Sequence, residues 1–279
     1  MNENNSQQEQ QHILDELHKT ELELLRRFVD ICDAYGITYY IIGGTLLGAV
    51  RHGGFIPWDD DIDVAVPRDD YYRLIKVMRK IEDDDIGLLY YRDNPDLYFY
   101  PAKVISKKCR IQDVRMKDGF SFPWIDVLPI DGRPDKPLKY RLFKLRMDYY
   151  RLLLGLYYID NLRDIKRSLL QRIVIKAGKV LRIGKFVNPT KVKDKIDRTL
   201  SSNRIEDCSW IGTCMGAYYF HEFVPKKMFG KGSKIKFCDM EVNAPERIDP
   251  YLRHMYGDYM TPPEEKARLA VHIKLVDNG

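Results

Sequence analysis

The sequence lacks the features of a secreted or membrane-spanning protein. Its longest mostly apolar run, Leu152 to Ile159, is too short for a bilayer span, which needs about 20 apolar residues. Met1 to Gln11 is rich in Asn, Gln and Glu and has no apolar segment, so we expect no secretion signal and a short disordered tail over residues 1–11. The five cysteines form no C-x-x-C pair, and we interpret them as buried or incidental thiols in a reducing cytoplasm.

Internal repeats, a P-loop and a Rossmann fingerprint are also absent. The composition, with 44% hydrophobic and 31% charged residues, is typical of a globular protein. Amphipathic spacing predicts helices over Gln8 to Tyr35 and Arg68 to Ile81. Strands are predicted at Thr38 to Ile42, Ile62 to Val66, Gly87 to Arg92, Ala102 to Ser106, Arg110 to Val114 and around Trp124 to Leu128. This order predicts an α/β or α+β fold, a mixed sheet flanked by helices. We divide the chain into a catalytic core at 12–135, a basic helical insertion at 136–205 and a completing part at 206–279.

Positive charge is concentrated in the middle of the chain. Lys136 to Arg198 contains 18 Lys and Arg against 5 Asp and Glu, whereas the whole chain has a net charge of only +5. Apolar residues recur there at helical spacing, first at Leu142, Leu145, Tyr149, Leu152 and Leu153 and again at Ile165, Leu169, Ile173 and Ala177. Such a block is either a solvated helical insertion or a basic amphipathic surface for anionic lipid or a lipid-linked acceptor. Nucleic acid ranks below both because no recognised nucleic-acid motif is present.

Four carboxylates occupy five positions at Asp59, Asp60, Asp61 and Asp63, directly before an apolar strand. Because side chains alternate along a strand, Asp61 and Asp63 would project from one face while Ile62 enters the core. Adjacent carboxylates repel unless a cation neutralises them, and oxygen ligands select Mg²⁺ or Mn²⁺. The pattern therefore predicts a metal site at Asp61 and Asp63, against the alternative of a solvated acidic turn. Asp59 and Asp60 would shape the turn or bind water, and a direct ligand role stays open.

The preceding segment predicts an anion site. Gly43 and Gly44 follow a strand, and Thr45 is expected to be the N-cap of a short helix from Leu46 to His52. A helix start can hold a phosphate through its free N–H groups. Arg51 and His52 could add charge, and Trp58 could stack on a base.

Two further charged residues stand on predicted strands. Asp126 interrupts the apolar strand Trp124 to Leu128, where an unpaired carboxylate would be costly, so it is either a metal or proton-transfer residue or an acceptor of backbone hydrogen bonds. Asp131, before Gly132, fits a turn better. Lys103 would face opposite Ala102 and is either a phosphate contact in the same cleft or a solvated lysine.

The stretch from Gly43 to Asp63 resembles the signature of the LicD family of bacterial phosphotransferases, to which fukutin-related proteins are distantly related. Tyr251 to Pro263 resembles the family's closing Tyr-Gly-Asp-Tyr segment. The resemblance implies a nucleotidyltransferase-type fold, with Asp126 as the third acid and Lys103 near phosphate. His272 or Arg268 could reach the site, but the roles of Tyr256, Asp258 and His272 stay open.

The same resemblance implies Mg²⁺-dependent transfer of a phospho-alcohol from a CDP-linked donor to a glycan hydroxyl, with release of CMP. CDP-choline is the favoured donor, and ribitol and glycerol phosphates are alternatives. The acceptor would be a teichoic acid, capsule or lipopolysaccharide precursor, and the enzyme would act in the cytoplasm, either free or peripherally bound at the inner membrane face. Transfer of a nucleoside monophosphate and a non-catalytic membrane-associated scaffold are the alternative functions.

Overall fold

A computed structural model of the chain describes residues 3–95, 97–113, 120–158, 183–264 and 273–276. The strands are β1 (Tyr40–Ile41), β2 (Ile62–Pro67), β3 (Ile86–Leu89), β4 (Ala102–Ser106), β5 (Arg110–Asp113), β6 (Phe120–Ser121), β7 (Trp124–Gly132), β8 (Trp210–Gly212), β9 (Val224–Pro225), β10 (Ser233–Phe237), β11 (Met240–Ala244) and β12 (Ile273–Val276). The helices are α1 (Glu3–Tyr35), α2 (Gly43–His52), α3 (Arg68–Met78), α4 (Pro137–Tyr157), α5 (Pro189–Ser201) and α6 (Ile248–Tyr256).

The main sheet has seven strands in the order β1-β2-β7-β4-β3, and β8 and β9 extend it from the far end of β7. Only β2 and β7 pair in parallel, and the other pairs in this sheet are antiparallel. Two smaller sheets, β10-β11 and β12-β5-β6, lie beside it. The predicted mixed α/β fold is therefore confirmed.

The two faces of the main sheet differ in chemistry. Ile62 and Val64 of β2 lie level with Ile125 and Val127 of β7 on one face, and all four are fully buried. The opposite face carries Asp63 of β2, Asp126 of β7 and Lys103 of β4 in adjacent register positions. Part of this second face is covered by α1, whose Leu17 packs with Ile105 and Trp124. The apolar face builds the core, and the polar face is left for the site.

Most predicted elements are present with shifted ends. The strand predicted from Thr38 shortens to Tyr40–Ile41, and α3 ends at Met78 rather than at Ile81. The first helix begins at Glu3 and so covers most of residues 1–11, for which we predicted a disordered tail. No helix among the described residues is long and apolar enough to cross a membrane. The division at residues 136 and 205 stays a prediction.

A buried ion network ties α5 to the sheet. Arg68, at the start of α3, donates to both carboxylate oxygens of Asp131 on β7 and to Asp197 on α5, the latter at 3.0 Å. Tyr100 also donates to Asp197, at 2.7 Å. Arg68, Asp131 and Asp197 are each at most 6% exposed. The predicted turn role of Asp131 is therefore wrong, because it lies within β7 and neutralises a buried guanidinium.

We expect Arg68→Met to destabilise the protein by about 3–5 kcal/mol, since it leaves Asp131 and Asp197 buried without their cation. The free energy of unfolding in urea measures this. The control is Arg79→Met, which breaks the exposed pair between Arg79 and Asp93 and should cost about 1 kcal/mol or less. Equal losses in the two variants would contradict the structural role of the network.

Candidate active site

Three carboxylates converge on the polar face of the sheet. Asp63 and Asp126 are directly opposite each other on the parallel strands β2 and β7, and Asp61 immediately precedes β2. One carboxylate oxygen from each of Asp61, Asp63 and Asp126 lies within 4.8 Å of the others. The sequence-predicted acids are thus brought together, although residues 61 and 126 are 65 positions apart in the chain.

The electrostatics of the cluster suit a cation. Burial raises the pKa of Asp61 and of Asp63 well above the ordinary value, and the neighbouring carboxylates raise both further. Oxygen-only donors at this spacing match the ligand preference of Mg²⁺ or Mn²⁺. The residues therefore fit a hard divalent ion, whose binding stays a prediction.

Asp59 and Asp60 lie at the edge of the cluster. Together with Asp61 they form a second group whose carboxylate oxygens lie within 4.8 Å of one another. Burial and the charge of Asp60 raise the pKa of Asp59 to about 6. One oxygen of Asp60 is buried with no hydrogen-bond partner among the described residues. Their predicted roles in the turn or in binding water are compatible with this position.

Asp126 is held by two donors from the sheet. The Lys103 ammonium lies 3.1 Å from Asp126 Oδ1, and Trp124 Nε1–H donates to Asp126 Oδ2 at 2.9 Å. Lys103 also lies 3.9 Å from the centre of the Trp124 ring, a cation–π contact, and is only 7% exposed. Lys103 thus faces the cleft as predicted and is not a solvated lysine. Its charge already pairs with Asp126, and a phosphate contact stays a prediction.

The glycine turn differs from the prediction at Thr45. Helix α2 begins at Gly43 with Ile42 as the N-cap, so Thr45 lies inside the first turn and is not the cap. Its hydroxyl instead accepts a hydrogen bond from the backbone N–H of Asp63 at 2.8 Å. The sequence could not distinguish these roles because the same hydroxyl can satisfy either backbone group. Thr45 therefore fixes the start of β2, where the Asp63 carboxylate lies.

The two glycines allow carboxylates to approach the start of α2. Gly43 has φ of +58°, and a Cβ there would lie 2.6 Å from Asp63 Oδ2. A Cβ on Gly44 would lie 2.4 Å from Asp59 Oδ2. The helix start therefore faces two of the protein's own carboxylates, which its positive dipole end favours. A phosphate contact at Gly43, Gly44 or Thr45 stays a prediction.

Arg51, His52 and Trp58 form a separate group at the other end of α2. Arg51 lies about 12 Å along the helix axis from Gly43 and donates to the backbone oxygen of Tyr259 at 2.9 Å. The ring centre of Trp58 lies 6.0 Å both from the Arg51 guanidinium carbon and from the His52 ring centre. Arg51 therefore connects the far end of α2 to the closing segment. Trp58 lies beside it but directly precedes Asp59, whose carboxylate lies at the helix start.

Helix α6 approaches the carboxylate cluster. Burial raises the pKa of Tyr251 and of Tyr256, and the charge of Asp63 raises both further. The backbone of Gly43 partly offsets the rise in the pKa of Tyr251. Asp258 accepts from the Thr261 hydroxyl at 2.8 Å. The segment that resembles the family's closing motif thus packs beside the site, whereas Arg268 and His272 lie outside the described residues.

Glu21 on α1 was missed by the sequence analysis. It is fully buried, and neither carboxylate oxygen has a hydrogen-bond partner among the described residues. One helical turn earlier, His18 Nε2–H donates to the backbone oxygen of Asp59 at 2.8 Å. Burial raises the pKa of Glu21 well above its ordinary value, and Asp61 is the next largest cause. The sequence did contain a signal for Glu21, because this acid occupies a core position in the otherwise apolar helical stripe of Leu14, Leu17, Leu24 and Phe28.

We expect Glu21→Gln to stabilise the metal-free protein above about pH 5 by about 1 kcal/mol or more. The folded state holds the Glu21 proton more tightly than the unfolded chain, so wild-type stability falls as pH rises above the ordinary pKa near 4.5. Glutamine has no proton to lose, so the two proteins should converge below about pH 4.5. Urea unfolding with a chelator from pH 4 to 8 measures this. The exposed Glu16→Gln should show no such divergence, and a divergence as large as that of Glu21→Gln would refute the assignment.

Comparison with known proteins supports the resemblance. Residues 36–135 match the family described as LicD/FKTN/FKRP, nucleotidyltransferase domain. The lipopolysaccharide cholinephosphotransferase LicD of Haemophilus influenzae is 28% identical over 263 residues, which cover 91% of this chain and 93% of that protein. The ribitol 5-phosphate transferases FKRP of mouse and human are 31% and 46% identical over 146 residues, 43% of this chain and 29% of each relative. The matched domain contains all three converging acids, Asp61, Asp63 and Asp126, and residues 36–135 are therefore a nucleotidyltransferase domain of the LicD/FKTN/FKRP family.

Proposed function

We propose that this protein transfers a phospho-alcohol, with phosphocholine favoured, from a CDP-linked donor to a hydroxyl of a cell-surface glycan precursor. The carboxylate cluster of Asp61, Asp63 and Asp126 is the observation that carries this proposal. The relatives of this protein are named as a cholinephosphotransferase and ribitol 5-phosphate transferases, and these names support a phospho-alcohol as the transferred group. A lipopolysaccharide precursor is the favoured acceptor class because the relative that matches 91% of this chain acts on lipopolysaccharide. Teichoic acid and capsule precursors remain alternatives.

The proposed reaction is an in-line substitution at phosphorus. The acceptor hydroxyl oxygen forms a new bond to the distal phosphorus of the donor, the pyrophosphate P–O bond breaks, and its electron pair leaves with CMP. Mg²⁺ or Mn²⁺, when bound by Asp61, Asp63 and Asp126, would neutralise charge on the pyrophosphate oxygens. Asp126 would either complete that ligand set or take the hydroxyl proton, and Lys103 and Trp124 would hold its orientation in either role.

Gly43, Gly44 and Thr45 would hold phosphate oxygens at the start of α2 if a cation offsets the charge of Asp59 and Asp63 there. The predicted roles of Arg51 and His52 are then restricted to parts of the substrate that extend past the far end of α2, whereas stacking of Trp58 on a base stays as predicted. We also infer a cytoplasmic location with peripheral contact at the inner membrane face, where a lipid-linked acceptor would lie.

Two other functions predict different products. Attack at the nucleotide's α-phosphorus would leave a nucleoside monophosphate on the acceptor and release no CMP. A non-catalytic scaffold would neither consume donor nor bind the divalent ion at the cluster. The intact carboxylates with raised pKa favour an active site over a scaffold.

The donor is tested with a panel of CDP-choline, CDP-ribitol and CDP-glycerol and a glycan acceptor. We expect release of CMP in step with loss of one of these donors, and mass spectrometry of the acceptor should show the added phospho-alcohol. A gain of the mass of CMP on the acceptor would instead establish nucleotidyl transfer. No turnover with any donor, together with no divalent-ion binding, would favour the scaffold.

We expect Asp61→Asn and Asp63→Asn each to lower turnover by more than about 100-fold, because direct ligands exceed the 10–100-fold effect of residues that only support ligands. Each variant should be more stable than wild type without metal, since it removes one of the mutually repelling carboxylates of the cluster. Mg²⁺ or Mn²⁺ should raise the Tm of wild type and not that of the variants. The exposed Asp84→Asn is the control and should keep both activity and the metal-dependent Tm shift. An undiminished Tm shift in both cluster variants would falsify the metal assignment.

A further inference from the structure

Helix α4 has two apolar faces, and only one of them packs against the part of the chain that the structure describes. Phe143, Met147 and Leu154 are at most 9% exposed and lie on one side of the helix. Phe143 packs against Phe220 and Phe223, with ring centres 6.2 Å and 6.0 Å apart. This side anchors α4 to the rest of the chain.

The opposite side carries a continuous apolar stripe. Its members follow one another at intervals of four and three residues, which keeps them within a sector about 80° wide and about 21 Å long. Their exposed fractions are 70% for Leu138, 56% for Leu142, 59% for Leu145, 55% for Tyr149 and 49% for Leu152. Single exposed apolar residues are ordinary, but five in one line on one helix are a surface that favours a partner.

Basic side chains flank this stripe. Arg141 lies on one side of it and Lys139 and Arg146 lie on the other, at the positions expected for 3.6 residues per turn. All three are exposed. The helix sequence contains five Lys and Arg but only one acid, Asp148. An apolar stripe between two basic edges is complementary to a lipid bilayer interface, where apolar acyl chains lie beneath anionic headgroups.

We propose that the exposed face of α4 docks in the interface of an anionic lipid bilayer. Leu138, Leu142, Leu145, Tyr149 and Leu152 would enter the boundary of the acyl chains, and Lys139, Arg141 and Arg146 would contact the headgroup phosphates. A second copy of this chain fits the face less well, because a face-to-face pair would bring the two sets of basic residues together. The inference extends the proposed function, since a lipid-linked acceptor would be presented at the same surface, but the docking itself needs no substrate.

The experiment is co-sedimentation of the full-length protein with vesicles of phosphatidylcholine alone or with 30% phosphatidylserine, without donor or acceptor. We expect binding to the anionic vesicles only, and weaker binding at 1 M salt, where the Debye length falls to about 3 Å. The triple variant Lys139→Gln, Arg141→Gln and Arg146→Gln should bind about 100-fold more weakly. Its matched control, Lys19→Gln, Lys76→Gln and Lys80→Gln, removes the same charge from exposed sites elsewhere and should bind like wild type.

The apolar stripe is tested by the triple variant Leu142→Gln, Leu145→Gln and Leu152→Gln. We expect it to lose vesicle binding while its Tm and its oligomeric state stay those of wild type. Tyr35→Gln with Met260→Gln, at residues that are 52% and 53% exposed, is the control and should bind normally.

Three outcomes would overturn the proposal. A fall in Tm of the leucine variant without vesicle binding by wild type would mean that another part of this chain covers the stripe. A wild-type dimer that this variant dissociates, again without vesicle binding, would identify a second copy as the partner. Equal losses of vesicle binding in the basic triple variant of α4 and in its lysine control would mean that overall charge rather than this face binds lipid. Transfer between a soluble donor and a soluble acceptor should be unchanged in the α4 variants, which separates failure of docking from failure of the proposed function.

Discussion

The parallel pairing of β2 with β7 determines the positions of the carboxylates in the candidate active site. It places Asp63 directly opposite Asp126, on the polar face of a sheet whose other face is a closed apolar core. Burial and mutual repulsion both disfavour the charged forms of these side chains, as the raised pKa of Asp61 and of Asp63 indicates. A fold that keeps such a cluster retains an unfavourable arrangement that a bound cation would relieve, which is typical of functional sites.

Several neighbouring features keep that cluster in position. Lys103 and Trp124 hold Asp126 from within the sheet, and the Thr45 hydroxyl fixes the backbone at Asp63. The missing side chains of Gly43 and Gly44 give the carboxylates of Asp63 and Asp59 room beside the start of α2. The glycine turn and the acid run, separated in sequence, therefore form one structural unit. A side chain added at Gly43 or Gly44 would therefore displace the carboxylate of Asp63 or of Asp59.

The sequence was sufficient where a pattern is local and was insufficient where a role depends on a distant partner. Alternation around Ile62 located Asp61 and Asp63, and an isolated acid in an apolar strand identified Asp126. The role of Asp131 could not be predicted because its partner, Arg68, is 63 residues away and belongs to another element. Glu21 was missed for a related reason: helical periodicity records which face is buried but not which buried position adjoins a cluster of acids. The cap assigned to Thr45 failed because Ile42 already starts the helix one turn earlier.

Helix α4 illustrates a further limit of periodicity. Leu142, Leu145, Tyr149 and Leu152 have the spacing of a core-facing stripe, yet they are exposed, and Phe143 and Met147 on the other side are buried. Hydrophobic spacing identifies the helix but does not choose between its two apolar faces, since that choice depends on what packs against each. The distribution of charge separates them, because basic residues border the exposed face. If the acceptor is lipid-linked, such a face would hold the protein at the surface where the acceptor lies. Binding at the membrane and chemistry at the sheet would then be separable properties of one chain.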